Sequence, residues 1–199
     1  MTIKNKAVIL AGGASRRFGE DKTRLIFQGK PLVQSVYQTL KQFGFDVFVS
    51  ATLPGQFSDL GLLTIADHSP LGGPLQAIYS VLTQVSAEKI LVVACDMPLL
   101  RKEVLEKLVC YSPDADIVFL ESEGKIKMLP GIYSKRIIPI VSSLLEHGKK
   151  DLKSILQTSL DVRFLPKTVW RKMDPDFLSH LNVNRREDWD KIKTIEASL

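Results

Sequence analysis

Residues 7–22 read Ala7-Val8-Ile9-Leu10-Ala11-Gly12-Gly13-Ala14-Ser15-Arg16-Arg17-Phe18-Gly19-Glu20-Asp21-Lys22. This stretch decides the fold. Ala7 to Leu10 is a short apolar run, the pattern of a strand buried on both faces. A glycine-rich loop, residues 11 to 22, follows at once. Its glycines let the backbone approach a ligand closely and expose successive N–H groups as a concave anion site. Arg16, Arg17 and Lys22 add mobile positive charge. Adjacent side chains diverge, so one arginine is expected to reach a phosphate and the other to serve elsewhere. Phosphate loops sit at this position in α/β folds. The competing reading is a surface loop with solvated charges. The stretch is neither G-x-G-x-x-G nor a P-loop ending in Gly-Lys-Ser/Thr, which disfavours hydride transfer and ATPase chemistry.

Outward from this loop, strand-length apolar runs alternate with amphipathic helical stretches. That is the pattern of an α/β domain with a mostly parallel sheet covered on both faces. Pro31 opens a helix with Leu32, Val36, Leu40 and Phe43 on its apolar face, closed by Gly44. Residues 45–51 and 62–66 read as strands. A helix follows Pro74, and residues 89–94 form the clearest central strand. Val104, Leu105, Leu108 and Val109 mark another helix, and residues 116–120 another strand. Residues 122–125 read as a turn and 126–133 as an antiparallel strand. The helical face over 137–145 starts near Pro139 or is kinked there. Residues 162–165 are a short strand. Asn184 with Glu187 three residues on fits an N-cap for a last helix through Trp189 and Ile192.

The 199 residues suit a single domain, 1–199, and the 45% hydrophobic content supports a substantial core. No apolar run reaches bilayer length, so no membrane role is expected. Met1-Thr2-Ile3-Lys4 does not resemble a signal peptide. Cys95 and Cys110 form no CxxC pair, which disfavours structural zinc, and both read as reduced thiols of a cytoplasmic protein. The formal net charge of +5 favours anionic partners. No Lys/Arg run exceeds two residues and none is interleaved with aromatics, so nucleic acid is not an expected partner.

Two aspartates follow strands. Asp96, in Cys95-Asp96-Met97-Pro98, lies beyond the central strand, on the rim where open α/β sheets bind ligands. Pro98 biases Met97 towards an extended conformation and keeps Asp96 at that rim. A carboxylate there suits Mg²⁺, a hard ion that takes oxygen ligands. The plainer role is an N-cap or turn aspartate. Asp67 follows the strand 62–66 and leads into a second Gly/Pro-rich loop, able to hold a base, a ribose or part of an acceptor. It fits a turn residue equally well. Asn182-Val183-Asn184 alternates, so both amides point to one side of an extended segment; Asn184 fits substrate contact and capping alike. His68, His147 and His180 make no metal spacing, and no nucleophile–His pair is readable.

In combination these residues resemble the molybdenum cofactor guanylyltransferases, nearly end to end. The resemblance rests on Leu10-Ala11-Gly12-Gly13 with Ser15, Arg17, Gly19 and Asp21-Lys22. It continues through Gly29-Lys30-Pro31-Leu32, Asp67, Gly73-Pro74-Leu75, Cys95-Asp96-Met97-Pro98, and Asn182-Val183-Asn184 with Asp188. It implies a three-layer, Rossmann-like nucleotidyltransferase fold. It implies transfer of GMP from GTP to molybdenum-molybdopterin, with pyrophosphate as the other product. Leu10, Ala11, Gly12, Gly13, Lys22, Asp67, Asp96, Asn182 and Asn184 would bind nucleotide or cofactor. Asp96 would hold Mg²⁺, and Arg17, Lys22 and Asp96 would serve catalysis. Transient contact with proteins that deliver or accept the cofactor would follow. The Gly12-Gly13 pair favours guanine in the family pattern. The chain departs from that pattern at Ser50, where many relatives have Asn, at Ala77 in place of a common Gly, and at Met128-Leu129-Pro130, which lacks a preceding His. A related enzyme using CTP or a sugar phosphate shares part of this pattern, as does a non-catalytic nucleotide-binding protein.

Overall fold

A computed structural model describes residues 5–12, 21–69, 73–122 and 126–198. Its strands are β1 (Lys6–Leu10), β2 (Ile26–Phe27), β3 (Lys30–Pro31), β4 (Asp46–Ala51), β5 (Thr64–Ala66), β6 (Lys89–Ala94), β7 (Ile117–Leu120), β8 (Gly131–Ser134) and β9 (Val162–Leu165). Its helices are α1 (Leu32–Gln42), α2 (Gly73–Gln84), α3 (Lys102–Cys110), α4 (Ile138–Glu146), α5 (Lys167–Trp170) and α6 (Arg186–Glu196). Among the described residues, seven strands form one sheet in the order β5-β4-β1-β6-β8-β7-β9, and of these only β8 runs against its neighbours, β6 and β7.

The alternation of side chains across a strand sends residues to both faces. Ala7, Ile9, Val47, Val49, Leu91 and Val93 meet Val33, Val36 and Leu40 of α1 and Val104, Leu105 and Leu108 of α3. Val8, Ile90, Val92, Ile117 and Phe119 meet Leu75, Ile78, Val81 and Leu82 of α2 and Val141 of α4. Two buried layers around one sheet give the expected three-layer α/β fold.

A third cluster lies beyond the carboxyl edge of β6. There Leu25, Phe27 and Leu32 pack with Leu99, Val183, Trp189 and Ile192. Residues from both ends of the chain therefore meet over the same edge. The β2–β3 hairpin belongs to this cluster. Gln28 and Gly29 hold φ of 50° and 73° at its tip, the left-handed pair that a tight two-residue hairpin requires.

Three details differ from the sequence reading. The strand expected over 126–133 is confined to Gly131–Ser134. Pro130 has no N–H to give a ladder. Gly131 is also sterically required, since a Cβ there would sit 2.7 Å from Phe119 Cδ1 and 2.8 Å from the Met128 carbonyl. The strand expected over 62–66 is shortened to Thr64–Ala66. As the sequence reading expected, the helix after residue 137 starts near Pro139, at Ile138, with the proline in its first turn, where a missing N–H costs nothing. The last helix is capped one residue later than expected. Arg185 is the N-cap and Asp188 occupies the third helical position. Asp188 Oδ2 accepts the Asn184 and Arg185 N–H groups, each at 2.9 Å, so Asn184 is not the cap. The expected turn at 122–125 lies mostly outside the described residues.

Candidate active site

Register brings four strand ends to one rim. Leu10 stands opposite both Ser50 and Ala94, and Ala51 stands opposite Ala66. The chain then leaves each strand in step. Ala11 N–H donates to Ser50 O at 3.0 Å, Asp67 N–H to Ala51 O at 3.0 Å, and Cys95 N–H to Leu10 O at 3.1 Å. Gly12, Thr52, Asp67 and Asp96 thus share the carboxyl edge of β1, β4, β5 and β6.

Asp96 is tied from two sides. Lys22 Nζ lies 3.4 Å from its Oδ2, and Asn182 Nδ2 donates to its Oδ1 at 3.1 Å. Lys22 Nζ also donates to the Val183 carbonyl at 2.5 Å, and the Val183 N–H donates to the Asp96 carbonyl at 3.0 Å. A loop near the N-terminus, the central strand and the C-terminal segment are joined at this point. Lys22 is placed there by a short 3₁₀ turn, Lys22–Arg24, which Asp21 caps through the Thr23 N–H. Burial pushes the Asp96 carboxyl above its usual range, against the pull of Lys22 and Asn182. Burial likewise raises the neighbouring Cys95 thiol, which makes it a poor nucleophile.

On the other side of β1, Ser50 Oγ donates to Asp67 Oδ1 at 2.7 Å. Ser50 is fully buried. Burial raises the Asp67 carboxyl, with the Ser50 hydrogen bond acting the opposite way. Thr52 Oγ1 donates to the Gly12 carbonyl at 3.2 Å. Asp67 and Asp96 follow strands three positions apart in the sheet, which separates them by about 14 Å at the ordinary strand spacing. That span suits an extended nucleotide, with its base at one end and phosphates at the other.

Beyond Asp96 a cavity of about 570 Å³ opens. Lys127, Met128, Asp151, Lys153, Asn182 and Asn184 are among its lining residues. Asn182 thus faces both Asp96 and this cavity. The alternating amides do point to one side, with Val183 buried between them.

Leu10, Ala11, Gly12, Lys22, Asp67, Asp96 and Asn182 therefore meet along one rim, and Asn184 lines the adjoining cavity. Gly13, Arg16 and Arg17 lie outside the described residues, as do Ser15 and Gly19. Sequence reasoning did not pick out Thr52, Lys127 or Lys153, which carry no motif signal of their own. Met128 and Ala77 are both buried. His68 follows Asp67 on the rim and favours the aspartate's charged form, but its Nε2 pairs with Thr83 Oγ1 at 3.1 Å. His180 is buried with its ring edge on Trp170, and its Nε2 has no hydrogen-bond partner.

No group of three or more His, Cys, Asp or Glu suited to a metal occurs among the described residues. A cation here would rest on one carboxylate and on ligand oxygens. Asp96 fits that use: it is an oxygen donor, it is desolvated, and Mg²⁺ commonly binds through one or two carboxylates plus phosphates. No helix among the described residues is long and apolar enough to cross a membrane.

A mostly parallel sheet between helical layers carries Gly12, Lys22 and Asp96 on its carboxyl rim, and the class of the protein, a nucleotidyltransferase, follows from its family. Residues 7–163 match the model of the MobA-like NTP transferase domain. The chain belongs to that family, and among its relatives to the molybdenum cofactor guanylyltransferases. A probable molybdenum cofactor guanylyltransferase of Clostridium perfringens is 30% identical over 97% of this chain and 100% of its own. One from Carboxydothermus hydrogenoformans is 31% identical over 94% of each chain. The crystal structure of molybdopterin-guanine dinucleotide biosynthesis protein A from Archaeoglobus fulgidus superposes with a TM-score of 0.86 at 24% identity, covering 98% of this chain and 100% of that one. That likeness bears on the fold.

Proposed function

We propose that this nucleotidyltransferase moves GMP from GTP to molybdenum-molybdopterin, forming the guanine dinucleotide cofactor and releasing pyrophosphate. The observation that carries this reading is the position of Asp96. It stands with Lys22 between the Gly12–Asp67 side of the rim and the cavity lined by Asn182 and Asn184. A nucleotide on one side and a phosphorylated acceptor on the other would meet at Asp96.

A carboxylate repels phosphate, so Asp67 suits the donors of a base or ribose, and the phosphates belong near Lys22. The terminal phosphate oxygen of the acceptor attacks the α-phosphorus of GTP, and the bond to the β-phosphate oxygen breaks. That nucleophile is already anionic at neutral pH, so no general base is required. This agrees with a His68 ring that is turned to Thr83 Oγ1, and with Asp96 bound by Lys22 and Asn182. Rate then comes from alignment and charge stabilisation. Lys22 supplies fixed positive charge to the triphosphate. Asn182 holds the Asp96 carboxylate in place. Lys127 and Lys153, on the cavity wall, attract the anionic acceptor. Mg²⁺ bound at Asp96 would neutralise phosphate charge and template the two substrates.

Pyrophosphate release, measured with Mg²⁺, GTP and molybdenum-molybdopterin, tests the reading. Turnover with GTP and little with CTP is the expected result. A preference for CTP, or turnover only with a sugar phosphate acceptor, would replace it with a sister activity. Nucleotide binding without pyrophosphate release would identify a non-catalytic protein.

A further inference from the structure

We infer that Asp188 is a positioning residue for the acceptor side of the reaction proposed above, on which this role rests. It locks the far end of the Asn182-Val183-Asn184 segment to helix α6 and so fixes Asn184 at the cavity wall.

Asp188 Oδ2 accepts the Asn184 and Arg185 N–H groups, each at 2.9 Å. Both bonds end on a carboxylate, so they are charge-assisted, and together they set the direction of two successive peptide planes. Asp188 itself lines the cavity with Lys127, Lys153, Asn182 and Asn184. A carboxylate gives an anionic acceptor no attraction, and the two lysines supply that. The use of Asp188 lies in the N–H groups it holds.

The near end of the segment is held by other groups. Asn182 Nδ2 donates to Asp96 Oδ1, the Val183 N–H donates to the Asp96 carbonyl, and Lys22 Nζ donates to the Val183 carbonyl. Val183 is fully buried, in one cluster with Leu25, Leu99 and Trp189. Each of these contacts lies at or before the Val183 carbonyl. Asn184 is exposed, and the backbone there is next fixed at the Asp188 carboxylate.

Helix α6 gives that carboxylate a firm base. Trp189 and Ile192 are buried against Leu25 and Phe27, and Glu196 Oε1 near the other end accepts the Gln28 N–H. The helix is thus anchored to the β2–β3 hairpin at both ends. Losing the Asp188 carboxylate would free the peptide before Asn184 to turn, while Lys22, Asp96 and Asp67 on the nucleotide side keep their contacts. The defect should therefore fall on the acceptor and spare GTP.

The test follows pyrophosphate release against molybdenum-molybdopterin concentration at saturating GTP, with GTP binding measured by calorimetry. In Asp188→Ala, kcat/KM for the acceptor is expected to fall about tenfold, with GTP affinity within about twofold of wild type, as for a misplaced positioning group. Asp188→Asn, whose amide oxygen can accept the same N–H groups, should recover most of the loss. Lys191→Gly, at an exposed position in α6, weakens the helix through backbone propensity alone and should leave the acceptor kinetics unchanged. Hydrogen exchange at the Asn184 and Arg185 amides should quicken in Asp188→Ala and stay slow in Asp188→Asn.

Wild-type exchange or wild-type acceptor kinetics in Asp188→Ala would overturn the role. So would a Lys191→Gly variant that shares the acceptor defect, since that marks a merely structural effect. An Asp188→Asn variant with slow exchange but the full kinetic loss would overturn it too, because the carboxylate would then touch the acceptor directly. A wild-type chain that releases no pyrophosphate would instead overturn the functional reading, and this role with it, whatever the exchange rates.

Discussion

Lys22 Nζ stands 3.4 Å from Asp96 Oδ2, and the two residues are 74 positions apart in sequence. Both are largely buried, with side-chain exposures of 15% each. A partly desolvated pair of this kind is a weak source of stability, because desolvation offsets much of the attraction. Its use is geometric. The lysine also binds the Val183 carbonyl, and Asn182 beside it binds the other carboxylate oxygen. One carboxylate is therefore aimed by groups from three parts of the chain.

Asp96→Asn keeps the shape of this cluster and removes the charge. Activity is expected to fall by about 10²–10³-fold, the scale seen when a preorganised electrostatic group is lost. The thermal midpoint should change little. Pyrophosphate release at ordinary Mg²⁺ is the measurement, and a variant retaining wild-type turnover would remove Asp96 from the metal and catalytic roles.

Lys22→Met keeps the aliphatic stem but not the ammonium. GTP binding should weaken about tenfold, as for a lost charge-assisted contact. The hold on Val183 is lost as well, so turnover should fall further than binding. Calorimetry and single-turnover rates separate the two effects, and an unchanged GTP affinity contradicts the triphosphate contact.

Gly12→Ala places a methyl 3.0 Å from Thr52 Oγ1 and 3.2 Å from Asp67 Oδ2. Both neighbours are side-chain ends and can yield slightly, so folding should survive. Nucleotide affinity is expected to drop about tenfold as the added methyl crowds Asp67 Oδ2 and Thr52 Oγ1 on the nucleotide side of the rim. Wild-type affinity in this variant would place the base elsewhere.

His180 makes stability depend on pH. Burial, with Lys127 nearby, lowers its pKa from 6.5 to about 4, and Asp174 opposes this only in part. The unfolded chain therefore takes up the proton first as pH falls. The stability contribution is complete above about pH 6.5 and is lost as pH drops towards about 4. It amounts to at most about 3 kcal/mol. Denaturant unfolding at pH 7 and 4.5 measures the loss. His180→Phe, which keeps a ring against Trp170, should show a shallower pH dependence than the wild-type chain; equal slopes would refute the assignment.

The sequence by itself carried the fold to a large extent. Runs such as 89–94 and 7–10 are apolar on both faces, and only a covered parallel sheet accommodates them. The periodic faces of α1, α2 and α3 name their own buried sides. Elements without such periodicity were not legible. The β2–β3 hairpin is two residues per strand, and the short turns over 152–157 and 167–170 bury few side chains each. The cap of α6 went to Arg185 because Asp188 could reach two N–H groups at once, a choice made by geometry that spacing alone does not settle.

The candidate site divides in the same way. Gly12, Lys22, Asp67 and Asp96 stand out in sequence because glycine turns and strand-end carboxylates follow local rules. What they do together is a tertiary fact. The order β5-β4-β1-β6 puts Ser50 and Thr52 between Asp67 and Gly12, and the packing of Trp189 and Ile192 against Leu25 and Phe27 returns Asn182 to Asp96. A linear pattern specifies which residues are polar at a strand end. Only the order of the strands and the burial of distant apolar faces determine which of those polar groups meet at one carboxylate, as Lys22 and Asn182 do at Asp96.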